Sequence, residues 1–191
     1  MTDELVPLGW SDDVLPLHTH VCFYYSDPET MKRSLAFLEV GLDEPGDFCA
    51  FLADERRHAS LLGLLRQEHG RDLGTLLETG KLAAIEIGGA GAAHEAQAPV
   101  DARLDRALSD GYGRMRLLAV LSWGQSGRPE TRTLKRFEAA VSRIVARYPA
   151  VVVCSYAVPH LAGEMLRECH LDNRPAVVRE ERASMDDPLS V

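Results

Sequence analysis

A handful of side chains in this 191-residue chain could do chemistry if one fold gathered them: Tyr25, Glu55, Arg57, Trp123, Tyr156 and His160. Each follows an apolar, β-branched or aromatic run that reads as a strand, or opens the helix after it. In an open parallel sheet such positions collect beyond the carboxyl ends of the strands, where ligand crevices form. Aromatic walls there would bury a small organic molecule, while Glu55 and Arg57 would fix its orientation. The plainer reading is that the aromatics close the ends of a core and Asp54 caps a helix.

His18, His20 and Cys22 alternate along the first run and would project from one face of a strand, a geometry that a metal can use. Donors in a row on one strand stand about 6–7 Å apart, wide for a single ion, so a second element would have to supply a further ligand. The row reads instead as a structural His20 and an exposed His18, and neither a metal nor another cofactor is expected.

Signs of catalysis are lacking. No Gly-x-Ser-x-Gly elbow occurs, and Cys154 follows Val151-Val152-Val153, surroundings that raise a thiol's pKa rather than activate it. Gly88, Gly89 and Gly91 are followed by no Lys-Ser or Lys-Thr, so they read as a connection and not as a phosphate loop. Glu138, with Ser142 and Arg143, reads as an ordinary solvated helix face. The widely spaced Cys22, Cys49, Cys154 and Cys169 read as reduced thiols of a cytoplasmic protein.

The elements that must position these residues are legible. Val21–Tyr25, Phe48–Leu52, Leu82–Ile87, Arg116–Trp123, Val151–Tyr156 and Ala176–Val178 read as strands, most of them apolar on both faces. Between them, Met31, Leu35, Leu38 and Leu42 recur at helical spacing after the start signal Ser26-Asp27-Pro28, and Asp54 opens a helix carrying Ala59, Leu62 and Leu65. A short turn spans 73–77, a helix 99–108, a long amphipathic helix 129–148, and another helix 160–170. Alternating strands and helices predict a three-layer α/β domain, its mostly parallel sheet covered on both faces. Residues 1–17 read as an N-terminal tail, 18–180 as the domain, and 181–191 as an acidic C-terminal tail. With 29 acidic against 21 basic residues, the net charge of −8 disfavours direct nucleic-acid binding. No apolar run is long enough for a membrane span.

The stretch His20-Val-Cys-Phe-Tyr-Tyr25, followed by Leu35-Ala-Phe-Leu-Glu-Val-Gly-Leu-Asp-Glu-Pro-Gly-Asp-Phe-Cys-Ala-Phe-Leu-Ala-Asp-Glu55, resembles the opening of the MEDS family, the methanogen and methylotroph sensory domains. Gly70-Arg-Asp-Leu, Gly80-Lys-Leu, Trp123, Phe137-Glu138, Val153-Cys154-Ser155-Tyr156 and His170 follow in the family's order, so the resemblance covers about residues 18–180. It implies a regulatory domain that senses small organic compounds, alone or fused to DNA-binding, kinase or anti-sigma-antagonist modules. The segment 35–55 is also similar to the region after the P-loop in RecA-like and KaiC-like ATPases, where a glutamate at the position of Glu55 is catalytic. The P-loop itself is missing from 20–34, which implies a RecA-like sheet without triphosphate binding.

The reading that follows is a non-catalytic, small-molecule-sensing domain that signals through a regulatory partner protein, with a homodimer left open. Two alternatives stand beside it. One is an enzyme using Glu55 with Arg57 or His160 as acid–base groups; the other is a protein-interaction module without a pocket.

Overall fold

The computed structural model describes residues 4–69, 72–87, 97–120, 131–157 and 177–180. In chain order the elements are β1 (Leu5–Pro7), β2 (Val14–Pro16), β3 (Thr19–Tyr25), α1 (Pro28–Arg33), α2 (Ala36–Asp43), β4 (Asp47–Ala53), α3 (Glu55–His69), α4 (Leu73–Glu78), β5 (Leu82–Glu86), α5 (Gln97–Ser109), β6 (Arg114–Val120), α6 (Thr131–Arg147), β7 (Ala150–Ala157) and β8 (Val177–Glu180). Strands β3 to β8 form one sheet in the order β5-β4-β6-β7-β3-β8, and every pairing in it is parallel.

The strands are apolar on both faces because both faces are covered. On one side Cys22, Tyr24, Leu52, Leu117, Val152 and Tyr156 pack with Val100 and Leu104 of α5 and with Phe137, Val141 and Ile144 of α6. On the other, Val21, Phe23, Tyr25, Phe51, Leu118 and Val153 pack with Phe37 and Leu38 of α2, Leu61 and Leu65 of α3, and Leu73 of α4. This is the expected three-layer α/β arrangement. Among the described residues no helix is long and apolar enough to cross a membrane.

Two local expectations are corrected. The helical spacing from Met31 to Leu42 is carried by two helices: at Ser34 the backbone N–H and the hydroxyl both turn back to Met31 O, at 3.0 and 2.7 Å, and α2 restarts at Ala36. Residues read as a tail instead form an antiparallel hairpin, Leu5 pairing with Pro16 and Pro7 with Val14. Its Val6, Leu8 and Leu15 are buried, and Trp10 packs against Phe23 and Phe37 at 5.1 and 6.3 Å between ring centroids. Each hairpin strand has only three residues, too few for alternation to stand out in the sequence.

The hairpin is tied to the sheet by a buried ionic knot. Arg116, on β6, donates from Nε to Asp47 Oδ2 at 2.6 Å and from Nη1 to Pro7 O at 2.6 Å and Phe37 O at 3.2 Å. Arg114 holds the other oxygen of Asp47 and reaches Glu4 Oε1 at 2.9 Å. Lys81 donates to the carbonyls of Asp47 and Glu44. Gly41 makes room for this knot, since a Cβ there would lie 2.3 Å from Arg116 Cδ and 2.7 Å from Cys49 Sγ.

Arg116 cannot move aside without breaking several buried hydrogen bonds, so Gly41→Ala should destabilise the protein by about 1–3 kcal/mol despite alanine's better helix propensity. At Gly63 of α3 a Cβ meets nothing within 4 Å. Gly63→Ala should therefore be neutral or stabilising by up to about 1 kcal/mol. Urea midpoints of the two variants measure the contrast, and equal midpoints would mean that the knot is not rigid.

Candidate functional site

Helix α6 buries Leu134, Phe137, Val141, Ile144 and, just past its end, Tyr148. Glu138 lies four residues after Leu134 and three before Val141, so the helical period turns it into this apolar stripe. It is 1 % exposed, which corrects the reading of it as part of a solvated face. Opposite it, β3 presents His20, Cys22 and Tyr24, while β7 presents Val152, Cys154 and Tyr156. The register sets Cys22 beside Cys154 and Tyr24 beside Tyr156.

The side chains converge on the Glu138 carboxyl group. The Tyr156 hydroxyl donates to Glu138 Oε1 in a short hydrogen bond. Glu138 Oε2 lies 3.5 Å from His20 Nε2, and Cys22 Sγ lies 3.9 Å from the same nitrogen. One donor atom each from His20, Glu138 and Cys154 all fall within 4.8 Å of one another, and all three residues are buried. The Tyr24 and Tyr156 rings stack above, with centroids 5.7 Å apart.

Burial sets the protonation of this cluster. Desolvation pushes the Glu138 carboxyl up to about 7, against the opposing hydrogen bond from Tyr156. Desolvation, reinforced by the nearby Glu138, also lifts the Cys154 thiol and the Tyr24 and Tyr156 phenols well above their ordinary ranges. Near neutral pH the cluster thus holds neutral Tyr24 and Tyr156 phenols and a neutral Cys154 thiol round a carboxyl group close to its midpoint. Oε2 accepts no hydrogen bond among the described residues. Such a group can take a proton, a ligand's donor or a cation. On the same face, a mostly apolar depression of about 20 Å³ is lined by Leu52, Ile87, Val100, Phe137, Val141 and Ile144, room for about one water.

Of the residues expected to form one crevice, Tyr25 and Tyr156 lie on opposite faces of the sheet. Tyr25 packs on the α3 side, where burial raises its phenol and the charge of Arg57 opposes the rise. Asp54 caps α3, accepting from Arg57 N at 3.1 Å, and Glu55 is the first residue of that helix. Tyr156 lies on the other face, under α6. Trp123 and His160 lie outside the described residues, as does Cys169. Of the histidine row, His18 precedes β3 with φ of 66° and contacts Val145 O through Nδ1 at 2.7 Å, while His20 and Cys22 share the face under α6. The second element that the row lacked is supplied by α6 and β7. Cys22, Cys49 and Cys154 are buried and form no disulfide among the described residues.

The family model described as MEthanogen/methylotroph, DcmR Sensory domain (MEDS) matches residues 19–171. That span contains His20, Cys22, Glu138, Cys154 and Tyr156. No curated protein matches the chain.

Two outcomes are expected from the cluster. A carboxyl group whose pKa is raised on folding binds its proton more tightly in the folded state, so its contribution is intact below pH 4.5 and lost as pH rises towards 7. The difference in unfolding free energy between the protein and Glu138→Gln should change by about 3 kcal/mol across that window, in favour of the glutamine at high pH; a flat difference would mean that Glu138 is solvated. Second, thiol reagents at neutral pH should modify Cys154 only as fast as the protein opens, since burial disfavours the thiolate. Peptide mapping after brief labelling checks this, and rapid modification of Cys154 would show an accessible site.

Proposed function

Because the chain belongs to the MEDS family of sensory domains, we propose that it is a non-catalytic, small-molecule-sensing regulatory domain that signals through a partner protein. The observation that carries this reading is Glu138. A carboxyl group one of whose oxygens finds no hydrogen bond among the described residues, buried between helix and sheet, costs more than a well-packed apolar side chain would. Unsatisfied buried polar groups of this kind concentrate where a protein binds something. The stacked tyrosines give apolar cover for a small organic ligand, and Glu138 gives an acceptor for the ligand's hydroxyl or amine.

Catalysis is the weaker reading of this cluster, because burial keeps the Cys154 thiol protonated and so withholds the nucleophile. The net charge of −8 favours a protein partner over nucleic acid, and three buried cysteines outside any disulfide among the described residues suit a cytoplasmic setting.

A thermal-shift screen of short-chain alcohols and amines tests the proposal. At least one compound should raise the melting temperature, by an amount corresponding to about 2.7 kcal/mol at one hundred times its dissociation constant. The shift should disappear in Glu138→Gln, weaken in Tyr156→Phe and survive in Glu55→Gln. A shift that survives in Glu138→Gln but is lost in Glu55→Gln would move the site to the α3 side of the sheet, and no shift from either class would refute the ligand chemistry.

A further inference from the structure

We propose that His20, Glu138 and Cys154 hold a divalent transition-metal ion of the zinc class. The inference rests on reading this cluster as the sensing site and adds what binds there. Its three donors are a nitrogen, an oxygen and a sulfur from β3, α6 and β7, brought within 4.8 Å of one another by the fold. His20 Nε2 and Glu138 Oε2 are 3.5 Å apart. Two such ligands on a tetrahedral zinc, with bonds of about 2.0–2.1 Å, stand roughly 3.3 Å apart. Cys22 Sγ, 3.9 Å from His20 Nε2, is within reach of the fourth position.

The surroundings fit a metal ligand better than a stray carboxylate. Tyr156 holds Glu138 Oε1 and leaves Oε2 on the side of the imidazole. An outer hydrogen bond of this kind fixes a ligating carboxylate and is itself worth about 10–100-fold in affinity. Sulfur and imidazole donors favour zinc, cobalt or copper over magnesium and calcium, which take oxygen. The ion's charge would compensate the carboxylate that burial otherwise penalises. Binding displaces the thiol protons of Cys154 and Cys22, together with the proton of Glu138 in the fraction that carries one, and these protons pass to the solvent.

Cobalt(II) is the probe. Added to the full chain after chelation and desalting, it should bind one ion per chain and give the intense visible bands of a tetrahedral site with a near-ultraviolet thiolate-to-cobalt band. Zinc should displace it. Cys154→Ser should weaken or remove the thiolate band, and Tyr156→Phe should lower affinity by about 10–100-fold. Absence of the thiolate band from the unaltered protein overturns the proposal whether or not the variants fold, as does a band that persists unchanged in a folded Cys154→Ser. If no metal binds while an organic compound still stabilises the protein through Glu138, the metal inference fails alone. If metal binds and no organic compound does, the metal site stands and the organic-ligand reading falls.

Discussion

Asp47 and Arg116 meet with side-chain exposures of 0 and 1 %, and the placing of the other strands depends on how that pair is satisfied. Removing two charges from water costs several kcal/mol per ion after relaxation, and their attraction repays it only when the remaining polar atoms also find partners. Here they do. Both oxygens of Asp47 are held by arginines, and Arg116 spends its other hydrogen bonds on Pro7 O and Phe37 O while its guanidinium lies 5.2 Å from the Phe37 ring. The partners come from β4, β6, the hairpin and α2, so the knot fixes the amino end of the sheet. Asp47 and Arg114 are also register partners, and β6 in turn sets β7, which sets β3.

Glu138 is the counterpart of Asp47 and is treated differently by its surroundings. It is equally buried, but among the described residues a single phenol hydroxyl donates to it, and its other neighbour is the imidazole of His20 at 3.5 Å rather than an arginine. One buried carboxylate is thus fully compensated at the structural end of the sheet, and the other is left short of partners beneath α6. Local rules of packing explain the first completely. The second is not completed among the described residues, and burial shifts it towards its protonated form instead, an asymmetry between the two ends of the sheet.

Much of the scaffold was legible because its signals are local. Runs such as Val151–Cys154 are apolar on both faces, which marks a strand in a doubly covered sheet, and Asp27 and Asp54 cap the helices they precede. The site was less legible because it depends on which face each residue takes. Tyr24 and Tyr25 are adjacent and chemically alike, yet Tyr24 stacks on Tyr156 under α6 while Tyr25 joins the α3 side. Only the choice of face for each crossing helix decides between them, and that is a long-range property. Glu138 carried a usable signal, an acid within an apolar stripe at spacings of four and three from Leu134 and Val141. It was masked by polar neighbours at Ser142 and Arg143. His20 reads from the sequence as a structural histidine; the groups that converge with it besides Cys22, namely Glu138 and Cys154, lie more than 100 residues away, on α6 and β7.

The arrangement also determines which part of the molecule feels an event at the cluster. Glu138 belongs to α6, which rests on β7 and β3. Strands inside a parallel sheet are held by ladders on both sides, whereas a helix lying on the sheet is held by side-chain packing alone, so the helix is the compliant partner. Arg147 reaches Asp101 and Asp105 of α5, the Tyr148 hydroxyl donates to Asp105 Oδ1 at 2.9 Å, and Arg143 reaches Gln97 at 2.7 Å. These ties couple α6 to α5 along their exposed sides. Gain or loss of a proton at Glu138 therefore acts on α6 first and on α5 through it.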